Sequence, residues 1–291
     1  MKLKNLFLIV LCVFALSCKQ NQQTVVVAGD SWATFICVYK SLDKSLEKEG
    51  VLDTSVNATC PLTTRTGMHA EDWFDSSFHK ATKVALEDPT VKVLYLSLGG
   101  NDFLSLWNNK LSPADESKLF NTITANVADV VQHYHQLRPD IKIILSGYDY
   151  PRFIPNHPIA EYKEAFENMG QPTPLELNSA ILRYSEVVSK GVDQKSSFYI
   201  HHYGLMHYYF GNPGMGLQKL TSAPPEDISS PSDPIEHGGV PSLQSDPSAL
   251  LKLDMAGIEI VDAFHLSRTA YGYLADHTVS HYLKKWLTVK P

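Results

Sequence analysis

Three short stretches of the chain carry side chains able to do chemistry together. Gly29-Asp30-Ser31 offers a hydroxyl, Gly99-Gly100-Asn101-Asp102 a carboxamide, and Asp262-Ala263-Phe264-His265 an imidazole with a carboxylate three residues before it. A serine hydroxyl is a poor nucleophile until a base takes its proton. Histidine is the usual base, because it titrates near neutral pH. The ring then needs a carboxylate on its other nitrogen to fix the tautomer and stabilise the imidazolium. Asp262 and His265 are close enough for one turn of chain to make that contact. A tetrahedral oxyanion also needs donors placed in advance, each worth about 3–4 kcal/mol of barrier. The candidates are the Ser31 N–H, the Asn101 amide, and the N–H of Gly67 in Thr66-Gly67-Met68, where no side chain blocks a substrate. The chemistry so assembled is acyl transfer, with Ser31 as nucleophile, His265 as base and Asp262 as its orienting carboxylate.

Each stretch alone reads equally well as a turn or a helix cap, so their placement decides. Thr24 to Ala28 is a β-branched run ending at Gly29, Val91 to Leu98 is apolar and ends at Gly99-Gly100, and Ile141 to Leu145 ends near Gly147. Such runs read as buried strands. Weaker strands lie near Val56–Thr59 and Phe198–Ile200. Between them fall helical patterns. The clearest runs from Pro113 to Leu137, with Phe120, Ile123, Val127, Val130, Tyr134 and Leu137 on one face, Ser112 and Asp115 as a capping box, and Pro113 at the first helical position. Leu177, Ile181, Tyr184 and Val188 form a second stripe, and a last helix follows Ser267 to about Trp286. Uniformly apolar strands alternating with helices imply a parallel sheet covered on both faces. Reactive groups then gather outside the carboxyl ends of the strands, which is where the Ser31 and Asn101 stretches fall.

In order and spacing these stretches resemble the SGNH hydrolases, also called GDSL esterases and lipases. That family is named for a Ser, a Gly, an Asn and a His in separate blocks. The Ser block is Gly29-Asp30-Ser31, with Trp32 where the family often has Leu; Gly67 is the choice for the Gly block; Gly99-Gly100-Asn101-Asp102 matches G-x-N-D; Asp262 to His265 matches D-x-x-H. The likeness spans Thr24 to Leu287. It implies an α/β fold, a three-layer α/β/α sandwich on a flavodoxin-like parallel sheet of about five strands. It also implies hydrolysis of an acyl ester through an acyl-enzyme, with an oxyanion hole of Ser31, Gly67 and Asn101 and no metal or organic cofactor. Two alternatives stay open: an O-acetyltransferase using the same triad, and a catalytically silent binding lipoprotein.

Composition narrows the remaining classes. The chain has 291 residues, 44% apolar and 19% charged, with formal net charge −6. That is ordinary for a globular domain, and the absence of a basic run excludes a nucleic-acid footprint. No G-x-S-x-G elbow, P-loop or G-x-G-x-x-G occurs. His201, His202 and His207 come without an H-E-x-x-H pattern and are expected to be solvated or packing histidines. Lys2 and Lys4, the apolar run Leu6–Leu16 and then Ser17-Cys18 read as an export signal over residues 1–17. Ala15-Leu16-Ser17-Cys18 resembles a lipobox, so the expected product is an exported bacterial lipoprotein, its Cys18 lipidated and its hydrolase domain covering residues 24–291. The expected ligand is a small-molecule, lipid or acetylated-glycan ester, and the only membrane contact is the anchor. Cys37 and Cys60 could pair or stay free. Residues 202–255 form a Pro/Gly-rich insertion, either a surface loop or a lid in which Tyr203, Tyr208, Tyr209 and Phe210 line a pocket.

Overall fold

The computed structural model describes residues 22–51, 54–192, 196–224 and 239–288. The signal, Cys18 and part of the insertion lie outside them. Strands β1 (Gln22–Gly29), β2 (Thr54–Val56), β3 (Val93–Ser97), β4 (Lys142–Ser146) and β5 (Ser197–Ile200) form one parallel sheet in the order β2-β1-β3-β4-β5. Gly29 stands opposite Ser97 and Val93 opposite Lys142, so β1, β3 and β4 end near one level.

Alternate residues of the central strands enter two separate cores. Val26, Ala28, Leu94, Leu96, Ile143 and Leu145 pack with residues of helices Pro113–Leu137 and Pro174–Val192. Val25, Val27, Val93, Tyr95 and Ile144 pack with residues of helices Ser31–Val38, Ser41–Lys48 and Arg268–Thr278. A strand with both faces buried has no polar side to show, which is why these runs are continuously apolar. The result is a three-layer α/β/α sandwich with flavodoxin-like strand order. The helix at Pro113–Leu137 begins and ends as its pattern predicts; Ser112 Oγ accepts from Asp115 N at 3.2 Å. Ser267 caps the last helix in the same way, accepting from Ala270 N. That helix passes through a π turn at Val279–Leu283 before its final turn, Lys284–Thr288.

One element has no counterpart among the patterns described above. Strands β6 (Leu250–Met255) and β7 (Ile258–Leu266) form an antiparallel hairpin separate from the main sheet. Its two-residue turn, Ala256-Gly257, has positive φ at both positions (56° and 82°), as tight hairpins require. Asp262 and His265 therefore sit on a strand, not at a helix start.

The described parts of the insertion are neither a bare loop nor a lid. They include a helix at Leu205–Phe210, a 3-10 turn at Pro213–Met215 and strand β6. Tyr203 is fully buried against Tyr150, and Tyr209 stacks on Tyr273 with ring centroids 3.7 Å apart. Cys37 and Cys60 form a disulfide with Cα atoms 6.0 Å apart, joining the helix that starts at Ser31 to the segment leading to Gly67. Among the described residues no helix is long and apolar enough to cross a membrane.

Candidate active site

Ser31 is the first residue of a helix that begins one residue beyond β1. The join is tight. Gly29 adopts φ +126°, and a Cβ there would lie 1.9 Å from Ser97 O, so only glycine fits. Asp30 N donates to that same carbonyl at 2.8 Å. The Asp30 side chain caps the helix: Oδ1 accepts from Trp32 N at 3.0 Å and from Ser97 Oγ at 2.9 Å, while the Tyr148 hydroxyl donates to Oδ2. Burial pushes the Asp30 carboxyl up to about 6, against the pull of its bonds from Tyr148, Ser97 and Trp32 N–H. The Tyr148 hydroxyl also accepts from Gly100 N at 2.9 Å, linking the Ser and Asn blocks.

The segment carrying Gly67 is held from both ends. Arg65 N donates to Gly29 O at 2.8 Å. Asn101 Nδ2 donates to Met68 O at 3.0 Å, and the buried Asp102 carboxylate accepts from Ala70 N at 2.9 and 3.1 Å. Gly67 has φ +72°, and nothing lies within 4 Å of where its Cβ would be. An asparagine amide has two N–H groups. One of Asn101's positions the Gly67 segment and the second is left for a ligand.

The base side is built on β7. Asp262 Oδ1 accepts from His265 N at 2.7 Å and Phe264 N at 2.9 Å, and Oδ2 lies 3.0 Å from His265 Nδ1. Tyr162, from helix Ala160–Asn168, donates to Asp262 Oδ2 at 2.7 Å with its oxygen 3.2 Å from His265 Nδ1. Burial alone would raise the Asp262 carboxyl. The hydrogen bond and charge of His265, with the bonds from Tyr162 and Phe264 N–H, outweigh it and hold the group below the ordinary carboxylate range. The His265 ring lies between Phe264 and Phe35, at centroid distances of 4.2 and 5.1 Å. Phe35 stands one helical turn after Ser31, on the same face, so the imidazole packs against the nucleophile's own helix.

Ser31, Gly67, Asn101 and His265 all line one open cleft of about 600 Å³, and Asp262 lies behind His265. His265 Nε2 is buried without a hydrogen-bond partner among the described residues, so its contact to Ser31 Oγ is not made in this conformation. Such contacts are often long in unliganded sites and close on substrate binding.

The wall of this cleft comes from residues that no motif in the sequence marks. It is formed by Phe153 and by the helix Ala160–Asn168, which contributes Glu161, Tyr162 and Glu164. The available signal was the long connection after β4, since strand carboxyl ends are where such walls stand. Tyr148, just past β4, joins Asp30 to Gly100. The histidines are packed: His202 is fully buried, with Nε2 3.0 Å from Ser146 Oγ and Nδ1 3.2 Å from His277 Nδ1. Among the described residues no group of three or more His, Cys, Asp or Glu could hold a metal ion.

No protein-family profile matches the chain, and no curated protein sequence is detectably similar to it. Several solved structures are similar at low identity. A carbohydrate esterase family 3 structure from Talaromyces cellulolyticus is 10% identical, with TM-score 0.46 over 92% of this chain and 100% of the other. The Clostridium thermocellum family 3 carbohydrate esterase is 14% identical, with TM-score 0.44 over 91% and 97%. The periplasmic domain of a Salmonella ser. Paratyphi A lipopolysaccharide acetyltransferase is 14% identical, with TM-score 0.45 over 94% and 89%. These likenesses assign no chemistry to the cleft, whose own atoms must supply it.

Proposed function

We propose that the chain is a serine hydrolase that cleaves a carboxylic ester through an acyl-enzyme. One observation carries this reading: a serine, two separate sets of amide donors and a carboxylate-bound imidazole line a single cleft. Ser31 Oγ attacks the carbonyl carbon while His265 Nε2 takes the hydroxyl proton. The oxyanion accepts hydrogen bonds from Ser31 N, Gly67 N and the free N–H of Asn101. Collapse breaks the bond to the alcohol oxygen, which leaves with the proton from Nε2. Water then attacks the acyl carbon, gives its proton to Nε2, and the acid departs as that proton returns to Ser31 Oγ. Asp262 stays ionised throughout and holds the Nδ1–H tautomer.

The N-terminal stretch and the Cys37–Cys60 bond support an exported chain anchored through Cys18, since disulfides persist outside reducing compartments. Ser31→Ala on short-chain nitrophenyl esters tests the chemistry. Loss of about 10⁴-fold or more in kcat is expected. Wild-type rates in the folded variant overturn the reading, and labelling of Ser31 by a fluorophosphonate separates it from a silent binding protein.

A further inference from the structure

Beside the cleft lies a second, much smaller cavity of about 30 Å³. Asn101, Leu104 and Phe264 line both, so the two chambers meet at the oxyanion donor. Asp30 and Trp32, the neighbours of Ser31 in sequence, line the small one. Ser31 and His265 line the large one. An ester bound at Ser31 has two arms, the acyl chain and the alcohol, and here are two chambers of very different capacity.

The small chamber suits carbon. Phe103, Leu104, Pro151, Ile181 and Phe264 supply apolar surface. Its two carboxylates are occupied elsewhere: Asp30 by Tyr148, Ser97 and Trp32 N–H, and Asp149 by the N–H groups of Tyr150, Gly204 and Met206. Trp32 Nε1 and the Tyr184 hydroxyl are buried without a partner among the described residues, yet the surface that the cavity exposes is almost wholly carbon. The far end is rigid. Tyr184 packs against Phe103 and Phe120. A Cβ on Gly100 would lie 2.3 Å from the Tyr148 ring, so that wall is already closed up to the backbone. A cavity of about 150 Å³ takes a benzene ring. One of about 30 Å³ takes a carbon or two.

The large chamber has the opposite character. It is open, and among the described residues its lining includes Glu161, Glu164, Asn168, His69 and Ser105 but no lysine or arginine. The carboxylates and the Asn168 amide oxygen can accept hydrogen bonds from hydroxyls, the two carboxylates disfavour an anionic ligand, and the Phe153 and Phe264 faces can pack on apolar CH surface.

We infer that the small chamber is the acyl pocket and that the substrate is an acetyl-sized ester of a large, uncharged hydroxyl compound. The inference rests on the esterase reading above. With acyl length C2 the methyl carbon enters the chamber while the alcohol lies in the cleft. Longer chains must displace packed aromatic rings. Nitrophenyl acetate, butyrate and octanoate compared on the wild-type protein test this directly. A fall of about tenfold or more in kcat/KM from acetate to butyrate is expected, and a further fall to octanoate. Ile181→Ala and Leu104→Ala each enlarge the chamber and should narrow the acetate-to-butyrate ratio. The second variant is a partly buried position that is kinder to folding than the first. Butyrate or octanoate cleaved as fast as acetate overturns the inference and leaves the esterase intact, as does an unchanged ratio in both folded variants. No hydrolysis of any ester, with Ser31 unlabelled by fluorophosphonate, overturns the esterase reading and the inference with it.

Discussion

Ser31 stands where a parallel strand gives way to a helix, whereas His265 stands on a two-stranded hairpin outside that sheet. The serine side is determined many times over. Gly29 presses on the Ser97 backbone, Asp30 takes bonds from three partners, and Asn101 and Asp102 grip the stretch just after Gly67 at Met68 and Ala70. The histidine side has one local carboxylate, one tyrosine and two flanking phenyl rings. Its hairpin tip, with Met255 and Ile258, is exposed. The lesson is that the oxyanion donors are pre-set by the sheet, while the base is the part with freedom to complete its contact when substrate arrives.

The largest effect tests whether the weaker side is still indispensable. Asp262→Asn should keep the fold but lose about 10⁴-fold in kcat, because the amide favours the wrong imidazole tautomer. Stopped-flow or steady-state rates read this, and a loss below tenfold would mean that something else orients His265. A second prediction probes the overdetermined side through stability. Asp30 titrates at about 6 in the fold against about 3.9 in an unfolded chain. The fold thus prefers the protonated form; that preference is fully present below the unfolded value and is lost as pH rises through about 6. Against Asp30→Asn, wild type should therefore lose about 2 kcal/mol between pH 4 and 7. Denaturant melts across that range check it, and a flat difference contradicts it. The smallest effect returns to the histidine side. Tyr162→Phe removes the hydroxyl that bonds Asp262 and should lower kcat about tenfold with KM nearly unchanged. A change in KM alone would make Tyr162 a substrate contact instead.

How much was readable in advance follows the same division. β1, β3 and β4 are buried on both faces, so their apolar runs announce them, and the Ser and Asn blocks at their ends come with the strands. The capped helix at Pro113–Leu137 is legible for a similar reason, since cap and periodicity agree. The hairpin is not. The burial along β7 follows neither a continuous apolar run nor a strict alternation, and its turn is Ala256-Gly257 rather than the Asn-Gly or Asp-Gly that mark tight hairpins. Asp262 and His265 were found by their own spacing, without the strand that carries them. Tyr162 was out of reach: it meets Asp262 from 100 residues away, and no local pattern encodes that contact. Tyr203 and Tyr209 misled for the opposite reason, since aromatic residues in a Pro-rich stretch look like a pocket wall and here serve the core.

The bond between Cys37 and Cys60 joins the nucleophile's helix to the segment that runs on to Gly67. A thiol reductant would therefore act at a distance from the reacting atoms and still reach them. Cutting the bond costs the fold about 3 kcal/mol, chiefly by freeing the unfolded chain, and it removes a covalent tie between the attacking oxygen's helix and the segment that runs on to one of the donors awaiting the negative charge. Catalysis should weaken under reduction at temperatures where the fold still holds, so turnover would report the oxidation state of its surroundings.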